Sequence, residues 1–228
     1  MSGVALNFNV EEEGKGPLSV ELKRLVIAGW TGRDQVALEK HIRELEELGI
    51  SRPASTPIYY RVSASRVTTR PCIEVSGEAS SGEAEFFLLR YAGVLYIGLG
   101  SDHTDRKAET IEVSLSKQMC EKPVAPELWE FSNVEPHWDK LILRSWIWED
   151  GKRVLYQEGN VTAMRSPHDL TSRFCPNGLE DGTMMFCGTL AARGGIRPSV
   201  RFEMELADPV RARSLRHGYD ILTLPVAG

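Results

Sequence analysis

Nowhere in the 228 residues is there a run of about 18 uncharged apolar side chains, the length a helix needs to cross a lipid core, so no membrane span is expected. An excess of positive charge is also missing. Lys and Arg number 27 against 32 Asp and Glu, a net charge of -5, which argues against a nucleic-acid binder while leaving room for a local basic pocket. The start of the chain is acidic by Glu11 and Glu12 and lacks the basic segment and apolar run of a secretory signal, so the cytoplasm is the expected compartment. Cysteine is scarce. Cys72, Cys120, Cys175 and Cys187 form no C-x-x-C pair, which excludes a zinc ribbon. In a chain of this size without a signal peptide they read as reduced, partly buried thiols rather than a disulfide framework. Repeats and low-complexity tracts are absent as well.

What is present is an ordinary globular balance, 42% apolar and 26% charged, enough for one domain with a sizeable core. Residues 4–9 alternate apolar and polar side chains as a strand does, and residues 20–29 read as a second strand. A helix follows. Thr31 and Asp34 stand at capping-box spacing, Leu38, Ile42, Leu45 and Leu48 recur at helical intervals, and Gly49 is placed to end it. Pro53 and Pro57 mark a loop, which suggests a strand-strand-helix unit over 1–55 and a β-rich domain over 56–228, the two able to form one compact body. Beyond residue 56 the strands expected are 57–63, 71–76, 83–90, 94–100, 140–148, 152–157, 183–188 and 199–206. Hairpins turn at Tyr91-Ala92-Gly93 and at Asp150-Gly151. A short helix is expected to start at Ser166-Pro167. The fold class is therefore α+β and β-rich.

One acidic constellation stands out. Glu83 and Glu85 lie two apart on an expected strand, so their side chains share a face and repel unless a cation or solvent separates them. The hairpin brings the following strand back until Asp102 lies beside them. Three carboxylates from two paired strands form an oxygen donor set suited to Mg²⁺, Mn²⁺ or Ca²⁺. The alternative is a solvated strand face followed by a loop with an ion pair.

The order of these features resembles the fumarylacetoacetate hydrolase superfamily. An E-x-E pair is followed by Ser101-Asp102-His103-Thr104-Asp105-Arg106, which is similar to the family's N-D-x-[ST]-x-R-D stretch. Ser116-Lys117-Gln118-Met119 leading to Pro126 and Trp129 resembles its Gly-Lys-Ser-Phe and Pro-Trp segments. The segment from Leu179 to Gly188-Thr189 resembles its L-x-x-G-D-x-I-x-T-G-T motif. The resemblance runs from about residue 56 to the C-terminus. It implies a mixed β-sandwich roll like the family's C-terminal domain, a metal on Glu83, Glu85 and Asp102, Lys117 as active-site lysine with Lys122 as the alternative, and Gly188, Thr189 and Gln118 facing the substrate. Three departures accompany it: the E-x-E to Asp segment is short, the family's Asn-Tyr-x-x-His stretch has no counterpart, and Leu190 replaces the usual Pro.

The implied activity is a divalent-metal-dependent C–C bond hydrolase of small 2-oxo or β-dicarbonyl acids. Hydration, decarboxylation or isomerisation on the same scaffold, or an inactive binding protein, are the alternatives. Such chemistry needs a base, and His103 is the first candidate because an imidazole titrates near neutrality. It can equally be a hydrogen-bonding loop residue. His168 is second, His41 is expected to face solvent, and His137 and His217 have no supporting context. Arg106 and Lys117 are placed to pair with substrate charge. The start of the first helix, Trp30 to Asp34, is a weaker anion-site candidate, and Arg193, Arg197 and Arg201 beside two glycines are candidates to close over an acidic substrate. The expected partners are a small oxo-acid and a second copy of the chain, the family being usually homodimeric.

Overall fold

The computed structural model describes residues 3–12, 14–47 and 52–227. Thirteen strands carry the fold: β1 (Val4–Val10), β2 (Pro17–Leu22), β3 (Arg24–Gly29), β4 (Ile58–Val62), β5 (Cys72–Ser76), β6 (Ala84–Tyr91), β7 (Val94–Ser101), β8 (Glu127–Glu130), β9 (Ile142–Glu149), β10 (Lys152–Asn160), β11 (Thr183–Thr189), β12 (Arg201–Asp208) and β13 (Arg213–Leu224). The helices are α1 (Gln35–Glu47), α2 (Arg106–Glu109), α3 (Val113–Met119), α4 (Phe131–Val134) and α5 (Pro167–Phe174). No helix among the described residues is long and apolar enough to cross a membrane.

The strands form an eight-stranded sheet in the order β2-β1-β8-β7-β6-β11-β3-β4 and a five-stranded sheet in the order β10-β9-β12-β13-β5. Antiparallel pairs dominate, but β1–β8, β3–β11 and β5–β13 run parallel, so both sheets are mixed. The stretch 20–29, which reads as one strand in the sequence, is two. Lys23 and Arg24 both give their backbone N–H to the Gly182 carbonyl, at 2.8 and 3.0 Å, and this breaks the ladder. Lys23 alone then separates the first strand of the large sheet from the seventh, so that sheet must curl until its ends approach.

Curling gives the large sheet two apolar faces. Leu25, Ile27, Phe87, Leu89, Met184 and Phe186 point to the inside, with Phe8 and Leu22. The alternate residues Val26, Ala28, Phe86, Leu88, Met185 and Cys187 point outward and pack against Leu143, Phe202, Met204 and Tyr219 of the five-stranded sheet. A strand buried on both faces needs apolar side chains at both parities, which is why these three read as continuous hydrophobic runs. Each Val, Leu, Ile, Phe or Met among them contributes roughly 1.5–3 kcal/mol of burial. The N-terminal strands belong to this same sheet, so a boundary at residue 55 falls between strands of one layer.

Both expected hairpins form. Their turns use positive φ at Ala92 and Gly93 (48° and 77°) and at Asp150 and Gly151 (50° and 73°), the twist that two-residue hairpin turns prefer. The first helix is capped by Asp34 rather than Thr31: one Asp34 oxygen accepts from the N–H groups of Val36 (2.9 Å) and Ala37 (3.0 Å). Leu48 and Gly49, the expected last turn and stop, lie outside the described residues, as do the side chains of His41 and Leu45. Ser166 caps α5, accepting from Asp169 N–H, with Pro167 in its first turn as expected.

Candidate metal centre and active site

Strand pairing assembles the acidic trio. Glu85 lies opposite Gly100 and Ala84 opposite Ser101, and the Asp102 N–H donates to the Glu83 carbonyl at 3.0 Å. One carboxylate oxygen from each of Glu83, Glu85 and Asp102 then lies within 4.8 Å of the others. Glu85 and Asp102 are buried, and Glu83 is partly so. Burial raises the carboxyl pKa of both glutamates, the Asp102 charge adding to the rise in each case and Glu83 adding further at Glu85.

Cations hold the trio from two sides. Lys117, on α3, forms a short ion pair with Asp102 Oδ2, and the fully buried Lys122 stands 3.0 Å from Oδ1. Burial alone would push the Asp102 pKa up, but the two ammoniums outweigh it and hold the carboxylate well below its usual range. The same pair works against burial at Lys117 and keeps its ammonium charged. Oδ1 of Asp102 has no aligned hydrogen-bond donor despite the nearness of Lys122. Arg106 is anchored three ways: to Ser81 Oγ (2.7 Å), Glu109 (2.9 Å) and Glu83 (3.2 Å). Asp105 is the N-cap of α2, accepting from Ala108 N–H at 2.8 Å, so the Asp-x-x-Asp-Arg stretch divides into one site carboxylate, one cap and one clamp.

Glu83, Glu85, Asp102, Lys117 and Arg106 form the floor of a cavity of about 880 Å³, lined also by the 27–32 segment, Tyr60, Glu109, Tyr156, Gln157 and the strand end at 188–192. Gly188 has φ of 98°, and a Cβ there would collide with Thr31 Oγ1, so the close approach of the two loops requires glycine. Its N–H donates to Glu85 Oε2 at 2.6 Å. The Thr189 hydroxyl donates to the Ala84 carbonyl at 2.7 Å and accepts from Gln157 Nε2 at 2.7 Å. Gly188 and Thr189 thus line the cavity, and here the Gly188 N–H and the Thr189 hydroxyl position Glu85 and the edge of β6.

Two further placements differ from the sequence reading. His103 is fully buried on the other side of the chain from Asp102. Its Nδ1 pairs with Tyr219 Oη and its Nε2 with Ser80 Oγ, both at 2.9 Å, and burial pushes its pKa down to about 3. It does not line the cavity. Gln118 follows Lys117 on α3 and so turns away: its Oε1 accepts from Ser63 N–H at 2.8 Å, outside the site. His168 is exposed and paired with Glu135 at 2.6 Å. The arginines of the 193–201 loop are tied to acids, Arg193 to Glu158 at 2.8 Å, Arg197 to Glu149 and Arg201 to Asp220 at 2.6 Å. Trp129 is buried and structural, donating to Glu11 at 2.8 Å under Arg213.

The sequence reading missed Tyr60, Glu109 and Gln157, and it took Thr31 only as part of the helix start. Gln157 is aimed inward by a bulge. The register passes from Ser145↔Gln157 to Trp146↔Leu155, leaving Tyr156 as the extra residue, and both Tyr156 and Gln157 are buried. A buried glutamine beside a tyrosine has no period-two signature. Trp30, which the sequence marked only as part of the helix start, lies at positive φ (57°) on the cavity wall.

The curled mixed sheet packed on a second sheet, with an acidic trio at the strand ends, is the fumarylacetoacetate hydrolase fold. It is shared with the yeast ynq8 protein, described as a fumarylacetoacetate hydrolase family protein (TM-score 0.64, 16% identity, 90% of this chain and 95% of that one). It is shared also with 2-keto-3-deoxy-D-arabinonate dehydratase complexed with magnesium and 2,5-dioxopentanoate (TM-score 0.64, 14% identity, covering 89% and 74%). Cg1458 with inhibitor is a third likeness (TM-score 0.67, 17% identity, covering 89% and 78%). No curated protein matches the sequence. Residues 28–219 match the model of a family described as a protein of unknown function (DUF2848), and the chain belongs to that family.

Proposed function

We propose that this protein is a divalent-metal-dependent enzyme that acts on a small 2-oxo or β-dicarbonyl acid and cleaves a C–C bond by hydrolysis. The observation that carries this reading is the convergence of Glu83, Glu85 and Asp102 oxygens within 4.8 Å on the floor of a cavity. The residues fit Mg²⁺ or Mn²⁺: the donors are all carboxylate oxygens, two of them have raised pKa values that a cation would relieve, and Asp102 Oδ1 lacks an aligned donor. A divalent ion bound there acts as a Lewis acid toward the oxygens of a 2-oxo acid.

The chain's own groups have separable parts in this scheme. Lys117 presents a fixed positive charge beside the trio, suited to pairing with a substrate oxygen as negative charge develops. Arg106 holds Glu83, and the Gly188 N–H holds Glu85. With His103 turned away, Glu109 is the cavity-lining carboxylate outside the trio. Arg106 fixes its Oε2, and its carboxylate is the group we assign to accept a proton from water. The apolar exposed side chains Ile111, Leu115 and Met119 support a homodimer, and a sedimentation coefficient of a monomer at working concentration would contradict that.

Complete chelation followed by a screen of oxo-acids tests the reading. Turnover should vanish and return with Mg²⁺ or Mn²⁺, and product analysis should find two organic fragments that together contain one added water, with no CO₂ released, which separates hydrolysis from hydration, decarboxylation and isomerisation. Turnover untouched by chelation would overturn it.

A further inference from the structure

The cavity, about 880 Å³, is larger than an oxo-acid head requires, and its lining combines charged and apolar side chains. Its floor is charged. Apolar and aromatic side chains make up much of the rest of its lining: Trp30, Tyr60, Val113, Leu190 and Ile196. Lys117 and Arg106 are the only cations among the described residues that line it, and both are already engaged, with Asp102 and with Glu83 and Glu109. The remaining charge is Glu109, which is negative.

The loop at 193–197 explains how an arginine-rich segment leaves an apolar wall. Gly194 and Gly195 take positive φ (75° and 87°). Arg197 Nη1 donates back to the carbonyls of Arg193 (2.7 Å) and Gly195 (2.9 Å), and its Nε pairs with Glu149. The arginines are spent on holding the loop, and Ile196 is the side chain it contributes to the cavity, still 58% exposed. Leu190, also in the lining, is packed against the main core and so held in place. An isoleucine left open at the rim of a cavity gains burial only when an apolar group occupies it.

We infer that the substrate carries an apolar substituent of several carbons beyond its oxo-acid head, seated against Trp30, Leu190 and Ile196, and that a substrate with a distal carboxylate is disfavoured. The inference rests on the metal and oxo-acid reading of the floor. A distal carboxylate would lie on an apolar wall with no cation to meet it and Glu109 nearby, so it would lose hydration without a partner.

Calorimetric titration of the Mg²⁺-loaded protein tests this with oxalate, pyruvate, 2-oxohexanoate, 2-oxooctanoate and 2-oxoadipate. Affinity should rise about fourfold per added methylene, hence about sixty-fold from pyruvate to 2-oxohexanoate. 2-Oxoadipate, of the same chain length, should bind at least about tenfold more weakly than 2-oxohexanoate. Ile196→Lys should reverse that last preference. If oxalate binds but affinity is flat with chain length, or 2-oxoadipate binds more tightly, the apolar-substituent inference is overturned while the metal site stands. If oxalate binds to neither the Mg²⁺-loaded nor the Mn²⁺-loaded protein, the underlying oxo-acid reading falls and the inference with it.

Discussion

Replacing Glu85 by glutamine removes one buried negative charge without removing the acceptor that the Gly188 N–H uses, since the amide oxygen can take that bond. The trio's oxygens lie within 4.8 Å of one another. At an effective dielectric constant of about 20, two like charges at that separation repel by roughly 3.5 kcal/mol, part of which Lys117 offsets. The metal-free Glu85→Gln protein should therefore melt no lower than the wild type. Its response to metal should nearly disappear. At an ion concentration one hundred times the wild-type Kd, binding stabilises the fold by about 2.7 kcal/mol, or roughly 5–11 °C in Tm for a chain of this length. Disturbing groups that merely orient metal ligands costs about 10–100-fold in affinity, so loss of a ligand itself should cost at least about 100-fold. The same ion concentration then equals the variant's Kd and stabilises by about 0.4 kcal/mol, a shift of about 1 °C. Differential scanning fluorimetry of chelated protein, with and without MgCl₂ or MnCl₂, reads both quantities. The pH dependence has a definite sign as well. Glu85 holds its proton more tightly folded than unfolded, so its contribution is present at low pH and is lost as pH rises through the raised pKa, and the metal-free variant should lack that loss. A wild-type Tm indifferent to both ions, or a variant that keeps the full shift, would refute the reasoning.

Three other substitutions probe separate parts of the account. Glu109→Gln should lower kcat by about 10²–10⁴-fold while the metal-induced Tm shift persists, measured by steady-state kinetics beside the melting assay. Lys122→Met takes one of two cations from the buried Asp102 and should cost about 3 kcal/mol in urea unfolding, with part recovered on adding Mg²⁺. Asp208 is fully buried, and although burial pulls its pKa up, bonds from His137, Arg211 N–H and Arg213 hold it below the ordinary value. That contribution exists above the unfolded carboxylate pKa and is lost as pH falls, so the stability gap between wild type and Asp208→Asn should close as pH falls from 6 toward 3 in chemical denaturation.

The site was legible in the sequence where a single period governed it. Glu83 and Glu85 share a parity, the Ala92-Gly93 turn fixes the register, and Asp102 then falls beside them. The same parity rule places His103 on the opposite face from Asp102, so its distance from the cavity was implicit in the pattern that located the trio. Lys117 and Gln118 are neighbours on a helix, about 100° apart, and only one can face the site. The break at Lys23 was not legible, because the carbonyl that causes it belongs to Gly182, far along the chain. Thr31 and Gln157 were hidden for related reasons. Thr31 matters through its contact with Gly188, and Gln157 through a bulge that inverts the strand's alternation.

A crystal grown with Mn²⁺ and oxalate tests the central claim most directly. Anomalous difference density should show one ion per chain bonded to Glu83, Glu85 and Asp102, with oxalate completing its coordination over the cavity floor. Full Mn²⁺ occupancy at other residues, or none within reach of the three carboxylates at saturating ion, would contradict the account.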